Sequence, residues 1–267
     1  VILTSTTHIP SLETLGMEDR LVGFPGLDYI SSPATRRRIE SGGVRELGAN
    51  EQLNTERVLS LQPDLVVGFG VSGAPDAYQA LEASGIPLVY NADWMEEAPL
   101  GKAEWIVFFG LLLGETEGAL EAFKKVEEAY LEARQLAAGA ARTPSVISGA
   151  LYRDVWYLPA GDSWAAQFFR DANARYLWAD SPGQGSLSLS LETVIEKGTE
   201  ADFWIAPAQF TSYAQMAQAN AHYTRFRAFR ERKVYTYSLS RGPGSGLWYY
   251  ERGPSRPDLV LKDLIHW

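Results

Sequence analysis

Residues 115–138 form one long amphipathic run, ETEGALEAFKKVEEAYLEARQLAA, and this run decides how the rest of the chain is organised. Its apolar residues recur at steps of three and four, the spacing of one face of an α-helix, and they are Leu120, Phe123, Val126, Tyr130, Ala133 and Leu136. Charged residues fill the other face, where Glu121 and Lys125 form a favourable i, i+4 pair. At about 1.5 Å per residue the helix would span roughly 35 Å, about the diameter of a small domain. This length fits either one more helix of an α/β domain or a strut that joins two lobes.

Predicted strands alternate with predicted helices on both sides of this run. Before it, Val1–Ser5 has the apolar composition of a buried strand, and a helix ending at Leu61 precedes a second such strand, Leu65–Phe69. After it, a linker containing Gly and Pro leads to the strand Ser145–Ala150. Because such alternation is typical of α/β proteins, we predict an α/β fold of two lobes with mainly parallel central sheets.

The composition excludes several classes of protein. The chain has 267 residues and a formal net charge of −9, and an acidic surface repels the phosphates of nucleic acid. It has no cysteine, which excludes disulfides, thiolate catalysis and cysteine zinc sites. Its only histidines are His8, His222 and His266, without an HExxH motif, so we expect no metal site and no cofactor. The apolar run Trp105–Leu113 is too short to cross a bilayer. Because the chain starts on a strand without an initiator methionine, we expect a processed or trimmed N-terminus, and the missing part could have held a targeting signal or a lipid-anchored cysteine.

Two segments repeat the same order of features. Leu53–Phe69 and Leu189–Pro207 each contain an N-cap residue, a glutamate, an apolar helix, an aspartate and a buried strand. Glu56 and Glu192 take the same place near the helix start, where a carboxylate suits the helix dipole. The repeat is either the ordinary βα repetition of any α/β protein or support for two similar lobes.

One motif offers an enzymatic alternative. Gly68, Gly70 and Gly73 follow a strand and precede a helix, and Asp93 lies about 20 residues further on, as in the dinucleotide sites of oxidoreductases. This interpretation is weakened because the strand is not the first of its half and Pro75 opens the helix. A glycine-rich strand end approached by a ligand explains the same residues. We therefore predict a protein that is not an enzyme and keep a dinucleotide-dependent oxidoreductase as the alternative.

Aromatic and basic residues suit a ligand cleft. The chain has 8 Trp, 13 Tyr and 11 Phe, and several of them fall beside Gly, Pro, Asp or Ser in loop-like contexts. The basic cluster Arg36–Arg38 is either a solvated helix face or a contact for an anionic ligand.

The chain resembles a known family along nearly its whole length. The resemblance is carried by LNTERVLSLQPDLVVGFG at 53–70, GIPLVYNADW at 85–94 and the C-terminal GLWYYERGPSRPDLVLKDLIHW. These segments are similar to those of the periplasmic substrate-binding proteins of ABC importers for iron–siderophores, haem and cobalamin. The resemblance implies an N-terminal lobe at 1–113, a bridging helix at 114–138, a C-terminal lobe at 139–267, and a ligand held between the lobes.

The resemblance also implies a function and partners. We expect an extracytoplasmic solute-binding protein that captures an iron–siderophore-type chelate and delivers it to an ABC importer, with cobalamin or haem as alternative ligands. Iron or cobalt would then belong to the ligand. The partners would be this small-molecule chelate and the membrane permease, and the protein would be a periplasmic monomer that can carry a lipid anchor.

Two sets of site residues follow from the resemblance and from the fold class. Glu56 and Glu192 match the family's two glutamates that pair with permease arginines. Ligands of α/β proteins bind at the carboxyl ends of strands. The candidate ligand-binding residues at such positions are Thr7, His8, Phe69, Gly70, Trp94, Tyr152, Trp156, Trp164, Gln209, Phe210 and Arg241.

Overall fold

Short apolar strands and amphipathic helices alternate along the chain, as the sequence pattern predicts. The computed structural model describes residues 1–50, 52–69 and 76–266. The strands are β1 (Ile2–Leu3), β2 (Gly23–Phe24), β3 (Arg45–Glu46), β4 (Gly48–Ala49), β5 (Gln52–Leu53), β6 (Val66–Phe69), β7 (Leu88–Asn91), β8 (Ser145–Ser148), β9 (Ala150–Tyr152), β10 (Val155–Pro159), β11 (Arg175–Tyr176), β12 (Ser186–Leu189), β13 (Phe203–Ile205) and β14 (Val234–Tyr235). The helices are α1 (Ile9–Thr14), α2 (Pro33–Glu40), α3 (Thr55–Leu61), α4 (Asp76–Ala83), α5 (Pro99–Leu113), α6 (Thr116–Ala138), α7 (Trp164–Asp171), α8 (Leu191–Gly198), α9 (Tyr213–Ala219), α10 (Arg227–Arg230), α11 (Trp248–Arg252) and α12 (Pro257–His266).

The chain divides into two compact units. Unit 1 consists of Val1–Met95, Lys102–Lys124 and Ser240–Ser255, and unit 2 consists of Glu96–Gly101, Lys125–Leu239 and Arg256–Trp267. Helix α6 begins in unit 1 and ends in unit 2, and the predicted fold class, two α/β lobes joined by a long helix, is confirmed. The units differ from the predicted ranges at two segments: Glu96–Gly101 belongs to unit 2 although it lies within 1–113, and Ser240–Ser255 belongs to unit 1 although it lies within 139–267.

Unit 1 is built on a parallel sheet with the strand order β3-β2-β1-β6-β7. Ile2 pairs with Val66 and Leu3 pairs with Val67, so the two faces of the sheet carry alternate residues of both strands. Leu3 and Val67 pack in one core cluster with Phe109 of α5, whereas Ile2 and Val66 pack in another. Helices therefore cover both faces, as is usual for a parallel sheet.

Unit 2 contains a parallel sheet with the order β11-β8-β13-β14 and an antiparallel sheet with the order β12-β10-β9. Its core is strongly aromatic. Trp156 of β10 stacks on Trp204 of β13 with ring centroids 5.3 Å apart, and Tyr223 meets both rings edge-on. Large flat side chains thus join the two sheets of this unit.

The buried face of α6 differs from the predicted stripe. Tyr130 and Ala133 are buried as predicted, but Leu120 is 51% exposed and Leu136 is 72% exposed. Small alanines, among them Ala119, are buried instead. At the α5–α6 corner an added Cβ on Gly110 would overlap the Cβ of Ala119, so the two helices approach too closely for leucine. The periodicity of the sequence predicts which face of a helix is apolar. It does not predict how large a side chain the neighbouring helix leaves room for at each position.

A helix that crosses a membrane must be both long and apolar. Among the residues that the structure describes, no helix combines the two to the extent that a bilayer crossing requires.

Candidate ligand-binding and docking residues

Several predicted residues of unit 1 lie together where β1 and β6 end. Thr7 sits on a short 3-10 turn after β1, and the Ser5 hydroxyl accepts a hydrogen bond of 3.3 Å from the Thr7 backbone N–H. Phe69 ends β6, and its N–H donates to Oγ1 of the buried Thr4 at 2.7 Å. The Thr4 hydroxyl in turn donates to the carbonyl of Val67 at 3.3 Å, which fixes the end of β1 against β6. Thr7 and Phe69 therefore lie at the carboxyl ends of two paired strands, and their contact with a ligand stays a prediction.

His8 is a core residue of unit 1. It is fully buried, with its ring centroid 5.4 Å from that of Phe109 and 6.4 Å from that of Phe69. Burial lowers the pKa of His8 to about 3, so the imidazole is neutral, and neither ring nitrogen has a hydrogen-bond partner in the described part of the chain. The prediction that His8 contacts a ligand is corrected, because aromatic rings enclose its side chain.

The turn after β7 carries an exposed tryptophan of this unit. Trp94 lies on the 3-10 turn Asp93–Met95 and is 40% exposed. Hydrogen bonds fix the position of this turn. Asn91 Oδ1 accepts a hydrogen bond of 2.8 Å from the Asp93 N–H. The buried Lys102 ammonium donates to the Asp93 carbonyl at 2.7 Å. Met95, which the sequence interpretation missed, is also exposed beside Trp94.

Other predicted residues of unit 1 have mixed outcomes. Arg241 is exposed and forms an isolated antiparallel bridge with Leu247. Gly70 lies outside the described residues, as does Gly73 of the glycine motif. Gly68 is described, and an added Cβ there would lie 3.0 Å from the Tyr78 ring, so this glycine makes room for a buried tyrosine.

The basic cluster of α2 is partly structural. The Arg36 guanidinium donates to the Leu27 carbonyl at 2.8 Å, and that of Arg38 donates to the Leu21 carbonyl at 3.0 Å. Two of the three arginines thus stabilise loop carbonyls of unit 1.

In unit 2 the loop after β13 is strained. Ala206 and Ala208 have φ of 55° and 51°, a left-handed conformation that residues with a Cβ rarely adopt. Neighbouring groups hold both in place: the Ala206 N–H donates to the Tyr235 carbonyl at 2.8 Å, and the Ser238 hydroxyl donates to the Ala208 carbonyl at 3.2 Å. Strain of this kind persists where the surroundings enforce it, often at ligand sites. The sequence does not predict this left-handed conformation, because both residues are alanines.

The predicted residues of this loop lie next to the strained alanines. Gln209 is exposed, whereas Phe210 is half-buried with its ring 5.9 Å from that of Tyr223. The sequence prediction thus placed both residues at the carboxyl end of a parallel strand.

The β9–β10 hairpin presents an aromatic surface. Tyr152 is 65% exposed, its ring centroid lies 6.5 Å from that of Tyr157, and the Arg153 guanidinium lies 5.4 Å from the centre of the Tyr152 ring. Tyr157 was missed by the sequence interpretation, which chose Trp156 instead. Side chains alternate along a strand, so Trp156 points into the core while Tyr157 faces solvent.

Trp156 and Trp164, which the sequence predicts to contact the ligand, differ in burial. Trp156 is fully buried, and its indole N–H donates to the Ser148 carbonyl at 2.9 Å. Its predicted ligand contact is corrected, because the core of unit 2 surrounds it. Trp164 starts α7 and is half-buried, with its ring 5.5 Å from that of Phe168.

The two predicted docking glutamates occupy equivalent places. Glu56 lies in the first turn of α3, where the Asn54 side chain caps the helix, and Glu192 lies in the first turn of α8, where Ser190 does so. Both carboxylates are exposed. Hydrogen bonding from its own backbone N–H, and then from the Ser190 hydroxyl, lowers the pKa of Glu192.

The strands after these helices are also equivalent. β6, after α3, pairs with β1, and β13, after α8, pairs with β8. The repeat seen in the sequence is therefore a structural repeat, with an exposed glutamate at the same position of the repeat in each unit.

Comparison with known proteins decides the family. Residues 1–238 match the sequence model of a family described as periplasmic binding protein. The chain belongs to the periplasmic binding protein family. The predicted family is confirmed, and so is the predicted non-enzymatic class, since this is a family of binding proteins.

Individual relatives of this periplasmic binding protein are distant. An uncharacterized lipoprotein of Methanocaldococcus jannaschii is 23% identical over 99% of the chain, which spans 63% of that relative's length. Among solved structures, a possible iron-binding (periplasmic solute-binding) protein of Staphylococcus epidermidis has a TM-score of 0.76 at 17% identity, covering 99% of this chain and 96% of its own. The periplasmic haem-binding protein RhuT of Roseiflexus has a TM-score of 0.70 at 21% identity, covering 99% and 98%. At these identities the likeness shows the fold alone.

Proposed function

We propose that this periplasmic binding protein captures an iron–siderophore-type chelate between its two lobes and delivers it to an ABC importer. The observation that carries the proposal is the exposed surface of Tyr152, Arg153 and Tyr157 on unit 2. Aromatic faces stack on the flat rings of catecholates and porphyrins, and a guanidinium neutralises the negative charge of a chelate. Trp94 and Arg241 supply the same chemistry on unit 1.

Haem is the second candidate ligand, because a flat anionic porphyrin fits the same aromatic and cationic groups. One structural relative is a haem-binding protein and another is described as possibly iron-binding, which supports both candidates equally. Cobalamin is the third. In each case the metal arrives with the ligand.

Glu56 and Glu192 are the proposed contacts with the importer. Their equivalent places in the two units suit a permease that presents two equivalent arginines. Exposed ion pairs are individually weak, so the pair would set the orientation of docking more than its affinity. A periplasmic location, with or without a lipid anchor, accords with the family and with the relative described as a lipoprotein.

Fluorescence quenching tests the ligand. Ferric catecholate and ferric hydroxamate siderophores, haem and cobalamin are each titrated into the protein, and one of them should quench tryptophan emission saturably. Replacing both Tyr152 and Arg153 by alanine should weaken that binding about tenfold, since a stacked ring contributes about 1 kcal/mol. Arg142→Ala is the matched control, because Arg142 is an exposed cation of the linker before the amino end of β8. Silence for all four chelates would refute the ligand class.

Uptake tests the docking separately. The double replacement Glu56→Ala and Glu192→Ala should abolish importer-dependent uptake and leave the fluorescence titration unchanged. Glu196→Ala, which removes an exposed carboxylate from the same helix as Glu192, should leave uptake unchanged. Normal uptake by the double variant would refute the docking role and leave the ligand proposal standing.

A further inference from the structure

Residues 240–255 form a segment of unit 1 that we call the strap. The chain before it, up to Leu239, and the chain after it, from Arg256, belong to unit 2. The strap is thus joined at both ends to unit 2 while its own contacts are with unit 1.

Backbone contacts hold the first part of the strap. Gly242, Gly244 and Gly246 lie so close to Asp28–Ser31 that an added Cβ on any of them would overlap atoms of that segment. The Ser245 N–H donates to the Asp28 carbonyl at 3.0 Å, and the Ser245 hydroxyl donates to the Asp28 carboxylate. These hydrogen bonds lower the pKa of Asp28, so this carboxylate stays ionised above acidic pH.

A buried carboxyl group holds the second part. Glu251 of α11 is 1% exposed and accepts hydrogen bonds from the backbone N–H groups of Ser31, at 2.6 Å, and Ser32, at 2.8 Å. The Ser32 hydroxyl donates to a second carboxylate, Glu13 of α1, which also accepts from the Thr35 hydroxyl at 2.7 Å. Ser32 therefore bonds to both glutamates, which brings two acidic groups together around one residue.

Burial, as the main cause, and the charge of Glu13 together raise the pKa of Glu251 to about 7. The two backbone N–H donors favour the ionised form, but they do not outweigh burial. An ionised carboxylate that is buried beside a second one is destabilising.

We propose that Glu251 is a pH-controlled fastener: its protonated form holds the strap on Asp28–Ser32, and its ionisation beside Glu13 loosens the strap. Since the raised pKa means that the fastened state binds the proton more tightly, the fastening is strongest below pH 4.5, the ordinary pKa of a glutamate, and is lost as the pH rises from there to about 7.

Other ionisable groups near α11 do not explain such a change. Burial keeps His8, on the turn that packs against α11, neutral at these pH values, and it raises the pKa of Tyr249. Asp28 is ionised throughout, and Arg252 is exposed. We therefore assign the pH dependence of the strap to the ionisation of Glu251 beside Glu13.

Hydrogen exchange of the full chain tests the proposal. Protection factors of amides in 240–255, corrected for the intrinsic pH dependence of exchange, are measured at pH 5.5 and pH 8. Protection should fall by about tenfold or more at the higher pH. In Glu251→Gln, which cannot ionise, the strap should be equally protected at both pH values. In Glu13→Gln the fall should be smaller and should end at a lower pH, because removal of the Glu13 charge lowers the pKa of Glu251 and leaves the ionised strap better fastened.

Asp28→Asn is the matched control at the other end of the strap. It should lower protection by the same factor at both pH values, because Asp28 does not titrate between them. Equal protection of the unaltered strap at pH 5.5 and pH 8 would overturn the proposal. A pH dependence that survives in Glu251→Gln would overturn it as well, even if Glu13→Gln failed to fold.

Discussion

The carboxyl ends of β1 and β8 hold equivalent places in the two units but present opposite kinds of side chain. β1 lies between β2 and β6, and β8 lies between β11 and β13. Beyond β1 the chain forms a turn that buries His8 between two phenylalanine rings. Beyond β8 it forms a hairpin that exposes Tyr152. Equivalent topology therefore does not imply equivalent exposure, and unit 2 offers solvent an aromatic surface where unit 1 has a closed one.

The segments that follow the strands cause this difference. After β1 the chain enters helix α1, which has Pro10 in its first turn and buries Ile9 and Leu12. After β8 the chain adds the antiparallel strands β9 and β10, whose alternate residues face the core and solvent. A helix that returns over the sheet seals the strand end, whereas a hairpin leaves one face open.

The largest expected effect is the difference in stability between a variant on the core face of this hairpin and a variant on its solvent face. Trp156→Ala should lower the free energy of unfolding by about 3–5 kcal/mol, because it empties a site enclosed by Trp204, Tyr223 and Phe226. Tyr152→Ala should change it by less than about 0.5 kcal/mol, as is usual for an exposed residue. Urea denaturation followed by circular dichroism measures both. Similar losses for the two variants would contradict the division of the hairpin into a core face and a solvent face.

The same hairpin shows what the sequence can and cannot predict. Alternating strands and helices, the long helix and the repeat around Glu56 and Glu192 follow from local patterns of apolar residues and caps, and the structure has all three. The choice between Trp156 and Tyr157 depends on which face of β10 meets the core, and this is set by pairing with distant strands.

Burial at strand ends depends on tertiary structure too. A histidine after a strand has the same local sequence context whether or not phenylalanines from β6 and α5 enclose it. The local sequence therefore predicts that His8 contacts a ligand, although the side chain is buried. The exposed leucines of α6 have the same origin, because the distance between helices decides which apolar residues fit.

The second prediction concerns the sealed end of β1. The pKa of His8 is about 3 in the folded protein against 6.5 for an ordinary histidine, so the unfolded chain binds the additional proton first as the pH falls. The stability that this group contributes is therefore present above pH 6.5 and is lost towards pH 3, with a loss of about 2 kcal/mol between pH 7 and pH 5. His8→Phe, which cannot titrate, should not show this loss.

The measurement is the difference between the unfolding free energies of the parent protein and His8→Phe across this pH range. A difference is needed because Glu251, with its raised pKa, changes stability in the opposite direction. A difference that stays constant from pH 7 to pH 5 would show that His8 reaches solvent and that the β1 end is open like the β8 end.

The smallest expected effect tests the strained loop at the open side of unit 2. Ala208→Gly should raise the free energy of unfolding by about 1 kcal/mol, because glycine adopts the left-handed φ of 51° without the Cβ clash that alanine suffers. Ala214→Gly, in the regular helix α9 that follows, should lower it by about 0.5–1 kcal/mol, because glycine only adds freedom to the unfolded chain there. Opposite signs from the same substitution six residues apart would locate the strain in the loop itself. If both variants lost stability, Ala208 would have to be relaxed in solution, and the interpretation of this loop as strained would fail.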